Sequence, residues 1–257
     1  MSDSELVAII GLGEIGKPLL SLVSEKYSVR GIDIDTEVVE KSFDILHICY
    51  PYHSDDFVAS TVDYVLRFHP SLVVINSTVP VGTTRKIHEA TRTPIVHSPV
   101  RGKHVKMRQE MLSYTKFIGG IDEVSSRKAE AHFAKIGMKT KVLKSAEAAE
   151  LAKLTETTYF GLLVAWAQEV ERYCGFFGVD YDEVSSIFEE INYLPRVKFF
   201  PGVIGGHCVM PNIALLKSDL SSELLDAIEG SNELKKELET TARREALGDR
   251  VACDHES

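Results

Sequence analysis

The chain has 257 residues, 44% apolar and 26% charged, a balance that suits one large globular domain or two moderate ones. Its net charge of −9 argues against a broad nucleic-acid-binding surface, while leaving room for a local basic pocket. No apolar run approaches the length needed to span a bilayer, so no membrane partner is expected.

The opening MSDSELVAIIGLG is acidic and its apolar stretch is short, which does not read as a signal peptide. Four cysteines (Cys49, Cys174, Cys208 and Cys253) stand far apart with no CxxC pair. They are expected to be free thiols of a cytoplasmic protein, and no His/Cys/Asp spacing suggests a metal site.

In chain order, apolar runs at 6–11, 27–33, 45–50, 72–77 and 94–99 read as buried strands. Helical stretches at 14–25, 36–43, 55–67 and 82–91 alternate with them. This rhythm predicts an α/β fold: a Rossmann-type, doubly wound parallel sheet. Weaker strands at 115–120 and 140–144 extend it around a helix at roughly 123–137. From Ser145 to about Phe177 a proline-free segment repeats apolar residues every three or four positions. A helix so long and apolar must bury most of its surface, and is expected to be the spine of an all-helical domain. Residues 179–192 predict a further helix, and a Gly- and Pro-rich loop, FPGVIGGHCVMPN (200–212), follows. The expected organisation is a dinucleotide-binding domain over 1–144, a helical domain over 145–240 and a flexible charged tail over 241–257.

GLGEIG (Gly11, Gly13, Glu14, Ile15, Gly16) follows the first strand and opens a helix. An acidic residue, Asp33, ends the second strand about twenty residues on. Gly11 allows the tight turn, Gly13 lets a pyrophosphate approach the backbone, and Gly16 lets the helix pack on the strand. Asp33 would accept hydrogen bonds from the adenosine ribose and repel a 2′-phosphate, which points to NAD over NADP. Tyr50, Pro51, Ser77 and Thr78, at the ends of the third and fourth strands, complete the expected cofactor-binding set.

Three further segments stand out: STVPVGTT (77–84), AELAKLTETTY (149–159) and PGVIGGHCVMP (201–211). With the glycine fingerprint, in this order and spacing, they resemble the UDP-glucose/GDP-mannose dehydrogenase family, the nucleotide-sugar 6-dehydrogenases. The resemblance covers roughly residues 5 to 230. It implies an alcohol oxidised twice by NAD, through an aldehyde held on a cysteine, to a carboxylate. Cys208 matches the nucleophile, Lys153 the lysine that stabilises developing oxygen charge, and Thr78 the threonine beside the nicotinamide. Gly205, Gly206 and His207 would then bring backbone and a polar ring to the substrate. A thiol attacks a carbonyl only as thiolate, a form that neighbouring cations and N–H groups favour. The resemblance also implies a homodimer formed through the helical domain.

The chain departs from the family pattern at three chemical positions. Val100 stands in SPV where the resemblance implies a glutamate, Thr157 where it implies an asparagine, and Asn212 where it implies an aspartate. The chain also ends about where the family's C-terminal nucleotide-binding domain is expected. General acid–base groups contribute ~10²–10⁴-fold each, so losing two would cripple thioester hydrolysis unless others replace them. Arg101, Lys103, His104, Lys106 and Arg108 form a basic cluster that could hold a phosphate or carboxylate. The anionic small-molecule substrate is assigned to Arg101, Lys103 and His104. His53 and His97 near strand ends are expected to be hydrogen-bonded, not catalytic.

Three readings stay open. The first is a dehydrogenase of this family with Thr157 and Asn212 in a modified site. The second is a single-step β-hydroxyacid-type dehydrogenase with Lys153 as acid and base. The third is a catalytically weakened NAD-binding sensor or subunit.

Overall fold

The computed structural model describes residues 5–52, 56–102, 106–192, 199–206 and 208–253. The chain forms two compact units that divide between Lys153 and Leu154, where a division at 144 was expected.

In the first unit, seven strands form one sheet: β1 (Leu6–Ile10), β2 (Ser28–Ile32), β3 (Ile45–Ile48), β4 (Leu72–Ile75), β5 (Ile95–His97), β6 (Lys116–Gly120) and β7 (Thr140–Leu143). Their order is β2-β1-β3-β4-β5-β6-β7. Side chains alternate between the two faces, as the pleat requires. Val7 and Ile9 join one core with Leu19, Leu22, Met107 and Phe133. Ala8 and Ile10 join the other with Phe57, Val65, Phe68 and Ile87. Helices α1 (Gly16–Val23), α4 (Met107–Ser113) and α5 (Glu123–Lys135) therefore cover the first face. Helices α2 (Asp56–Phe68) and α3 (Thr83–Thr91) cover the second. The doubly wound α/β architecture is as expected, with its switch point between β1 and β3.

Two expectations fail here. The segment 36–43 is not helical. The carbonyl of Glu37 accepts from Arg30 Nη2 at 3.0 Å, and the Thr36 hydroxyl accepts from the Asp33 amide at 2.9 Å. Paired β-branched residues, Val38 and Val39, weaken a helix this short further. The sheet is also not wholly parallel, because β6 runs antiparallel to β5. A parallel return needs a crossover spanning the strand length, ~17 Å for five residues. Here the chain passes through the short helix α4, Met107–Ser113, and re-enters at the edge it left.

The long helix α6 runs Ala146–Phe177, close to the predicted 145–177. Its first turns belong to the first unit. There Gly119 of β6 has no Cβ to collide with Ala149, whose Cβ would stand 2.7 Å away. The remainder of α6, with α7 (Tyr181–Glu190), α8 (Val209–Asp219) and α9 (Glu223–Cys253), makes the second unit all-helical. Its core is Val164, Ala165, Ile204, Val209, Ile213, Leu225 and Ile228. Helix α9 continues to Cys253, so the segment expected as a flexible tail from 241 is helical to that point. Lys235 and Glu239, and Glu239 and Arg243, pair one turn apart and support the charged helix. Tyr159, Trp166 and Tyr173 recur at seven-residue spacing on α6 and are each more than half exposed.

Candidate functional site

The glycine turn sits at the switch point. Gly11 has φ +90° and donates its N–H to the Ile32 carbonyl at 2.8 Å. A Cβ there would lie 2.6 Å from the Tyr50 nitrogen, so only glycine lets β1 and β3 close together. At Gly13 a Cβ would meet nothing within 4 Å, which leaves the backbone open at the entrance to α1. The α1 N-cap, Ile15, has no side-chain cap, and the N-terminus suits an anion. The exposed Asp33 carboxylate accepts from the Leu12 amide at 3.1 Å and the Ile34 amide at 3.0 Å. Each oxygen keeps a further lone pair for a ribose hydroxyl. These residues fit a dinucleotide: open backbone for the pyrophosphate, a fixed carboxylate for the ribose.

The third- and fourth-strand ends are joined as well. Ser77 Oγ donates to the Tyr50 carbonyl at 2.6 Å, and the Tyr50 hydroxyl pairs with Thr61 Oγ1 at 2.5 Å. Burial pushes the Tyr50 phenol up to about 12. Pro51 is exposed and Thr78 half-buried.

A residue the sequence reading passed over links two of the quoted segments. Glu150, fully buried, accepts from the Gly82 amide at 2.6 Å, the Thr84 amide at 2.8 Å and the Thr84 hydroxyl at 2.6 Å. Gly82 is the N-cap of α3 and has no side-chain cap of its own, so Glu150 caps that helix from α6. Burial raises the Glu150 pKa, and these hydrogen bonds oppose the rise. Half-buried Lys153 lies one turn further along α6, held in register with the 77–84 segment. The only signal in sequence was an acidic residue three positions before the lysine. His97 is buried, with Nε2 against the Ser77 carbonyl at 3.1 Å, and burial lowers it to about 3.

In the second unit the loop before Cys208 is pinned by two buried amides. Asn232 Oδ1 accepts from the Ile204 amide at 2.7 Å and its Nδ2 donates to the Ile204 carbonyl at 3.1 Å. Gln168 Nε2 donates to the Gly202 carbonyl at 2.8 Å. Gly205 and Gly206 are exposed, Gly206 with φ +77°, and the exposed Cys208 is the N-cap of α8. Thr157 and Asn212, two of the three departures from the family pattern, are partners. Asn212 Nδ2 donates to Thr157 Oγ1 at 2.7 Å, and Thr157 Oγ1 donates to the Leu154 carbonyl at 3.1 Å. Val100, the third, is buried.

Arg101 is partly committed elsewhere. Its guanidinium lies over the Tyr114 and Phe117 rings at 5.3 and 4.9 Å, and Nη2 donates to the Thr115 carbonyl. Lys103, His104 and His207, expected to bind substrate, lie outside the described residues, as does His53. Cys49, Cys174 and Cys208 are free. Among the described residues no group of His, Cys, Asp and Glu could hold a metal ion, and no helix is long and apolar enough to cross a membrane.

The fold and the glycine turn define a doubly wound, Rossmann-type unit followed by a helical unit. Residues 147–233 match the model of the UDP-glucose/GDP-mannose dehydrogenase family, central domain. The UDP-N-acetyl-D-mannosamine dehydrogenase of Methanococcus maripaludis is 27% identical, over 80% of this chain and 60% of its own length. That of Pyrococcus horikoshii is 27% identical, over 84% of this chain and 65% of its own. A solved structure of UDP-D-ManNAc dehydrogenase from Pyrococcus horikoshii superposes with a TM-score of 0.82 at 24% identity, covering 96% of this chain and 72% of that one. Over residues 147–233 the chain is similar to that family's central domain, and along most of its length to these two dehydrogenases. It spans less than two thirds of the length of these curated relatives.

Proposed function

We propose that the chain is an NAD-dependent dehydrogenase that oxidises an alcohol on an anionic, sugar-derived small molecule. The relatives that act on UDP-N-acetyl-D-mannosamine make a UDP-N-acetylhexosamine the first substrate to test. The observation that carries the reading is Asp33, fixed between the glycine turn and the end of β2 by the Leu12 and Ile34 amides. A carboxylate held there accepts ribose hydroxyls and repels a 2′-phosphate, which selects NAD.

NAD, when bound, supplies the hydride acceptor. The Gly13 backbone and the α1 N-terminus would hold its pyrophosphate, with Tyr50, Pro51, Ser77 and Thr78 along the strand ends beside it. Lys153 would take the hydroxyl proton or stabilise the oxyanion left when it departs, and hydride then leaves the same carbon for the bound NAD. Cys208, as thiolate, would add to the aldehyde carbonyl to give a thiohemiacetal, and Arg101, Gly205 and Gly206 would line the substrate. The exposed Tyr159, Trp166 and Tyr173 suit a homodimer through α6, and the protein is read as cytoplasmic.

A second reading has an observation of its own. The Thr157 proton is given to the Leu154 carbonyl, and the Asn212 amide is given to Thr157. This pair orients but takes no proton, and Val100 takes none either. A single oxidation, with Lys153 as acid and base and Cys208 structural, needs neither group.

Absorbance of NADH, measured against a panel of UDP-N-acetylhexosamines and hydroxyacids, separates the two. Two NADH per substrate, abolished in Cys208→Ser, supports the thiol route; one NADH with an indifferent Cys208 supports the single step. Absence of NAD binding would sink both.

A further inference from the structure

The reversal of β6 brings a charged side chain to the carboxyl edge of the sheet. Lys116 opens β6, while Gly119 and Gly120 at its far end pair with His97 and Val96 of β5. Its ammonium therefore lies just past the end of β5, where ligands of doubly wound sheets bind. Lys116 is 7% exposed. Its Nζ donates to the Ser98 carbonyl at 2.6 Å, the Pro99 carbonyl at 3.3 Å and Asn76 Oδ1 at 3.1 Å. The Phe133 ring lies 5.1 Å from the same atom. Three N–H groups thus meet three oxygens.

The polar chain continues away from the edge. Asn76 Nδ2 donates to His47 Nδ1 at 3.1 Å, which makes His47 Nε2 the donor to His132 Nε2 at 2.9 Å. His132 Nδ1 then carries the last proton, and it is buried without a hydrogen-bond partner among the described residues. The groups facing Lys116 are Cys49 and His47 of β3 and its end, His97 of β5, Arg101, His132 of α5 and Lys153 of α6. None is a carboxylate. Burial pushes the Cys49 thiol up to about 12 and keeps the histidines neutral, His132 down to about 4. Among the described residues the three oxygens and the Phe133 ring face offset the ammonium charge, and burial lowers Lys116 to about 7.

We propose that Lys116 is the positioning residue of the turn that follows β5: its ammonium ties the Ser98 and Pro99 carbonyls to Asn76, just past β4, and loss of its proton breaks one of these three ties. A neutral amine has two N–H groups and a lone pair, so one of the three oxygens would face that lone pair. The turn carries Val100 and Arg101, and only its assignment to the substrate side rests on the function proposed above. Lys116 was invisible in sequence as a site residue, because it reads as the exposed start of a weak strand.

Hydrogen exchange at the Asn76 and Ser98 amides, which donate to the Ile48 and Ile75 carbonyls at 2.9 and 2.8 Å, tests this on the full chain without NAD. Rates are corrected for intrinsic exchange. Wild-type protection should fall roughly tenfold or more between pH 6 and pH 9. Lys116→Arg, which stays charged, should hold protection at both pH values. Lys116→Met should lose it at both, while the β7 amides, 140–143, remain protected in all three. Loss of β7 protection would mark a variant as misfolded, and the wild-type comparison alone then decides. The same wild-type protection at both pH values, or a folded Lys116→Met as protected as wild type, overturns the proposal. A separate NAD titration of wild type tests the dehydrogenase reading, so the two can fail independently.

Discussion

Asn232 holds Ile204 by both backbone groups, accepting its N–H at 2.7 Å and donating to its C=O at 3.1 Å. The side-chain amide of α9 thus replaces the neighbouring strand that the loop before Cys208 lacks. Ile204 and Asn232 are both buried, so water cannot take over either bond. Asn232→Ala should cost about 1–3 kcal/mol for each backbone group left unpaired, measured by denaturant unfolding. It should also change the rate at which iodoacetamide modifies Cys208, followed by peptide mass spectrometry. An unchanged midpoint and an unchanged alkylation rate would show that Asn232 does not hold the loop.

Glu150 makes a comparable clamp in the first unit. Glu150→Ala removes the acceptor for Gly82 and Thr84 and leaves α3 uncapped, a loss of about 2–4 kcal/mol from a buried amide, a half-buried amide and a buried hydroxyl. Glu150→Gln keeps one oxygen and should retain part of that stability. If both variants unfold at the wild-type denaturant concentration, the clamp is energetically idle.

Much of this was readable in the residues. All seven strands, the glycine turn and the span of α6 followed from apolar runs and punctuation, because each is set by its own neighbours in sequence. The failures involve partners far along the chain. Arg30 takes the Glu37 carbonyl that a helix over 36–43 would have needed, and no local pattern announces it. The reversal of β6 lies in its pairing with β5, which the run 115–120 does not reveal. Helix α8 was missed because a glycine loop runs straight into it, although Pro211 in its first turn was a start signal. Thr157 and Asn212 looked like independent departures from the family pattern, and only their contact shows them to be a pair.

Lys116 also leaves a mark on stability. Its folded value of about 7 lies below the ordinary lysine value of 10.5 that the unfolded chain has. Between these values the unfolded chain binds the additional proton, so stability rises with pH. The contribution is complete above pH 10.5 and is lost as pH falls through about 7. Urea unfolding of wild type over that window should show a slope of up to ~1.4 kcal/mol per pH unit from this group. Lys116→Met should flatten it. His132, lowered to about 4, acts in a separate window below 6.5 and should leave its own slope in both proteins. A slope that survives the Met substitution intact would show that another group titrates there.

On the proposed reading, cofactor choice turns on Asp33. Asp33→Asn keeps an oxygen for one backbone amide but removes the charge that would repel a 2′-phosphate and strengthen the ribose hydrogen bonds. A hydrogen bond to a charged group contributes about 1.5–3 kcal/mol, so NAD affinity should fall by roughly 10–100-fold. NADP affinity should fall less or rise, which narrows the ratio between the two. Calorimetric titration of both dinucleotides into wild type and Asp33→Asn measures this directly. Since Asp33 also supports the Leu12 amide, a fall in thermal stability should accompany the change, and saturating NAD should restore part of it. If wild type binds NADP as tightly as NAD, the carboxylate does not select the cofactor, and the assignment of NAD fails with it.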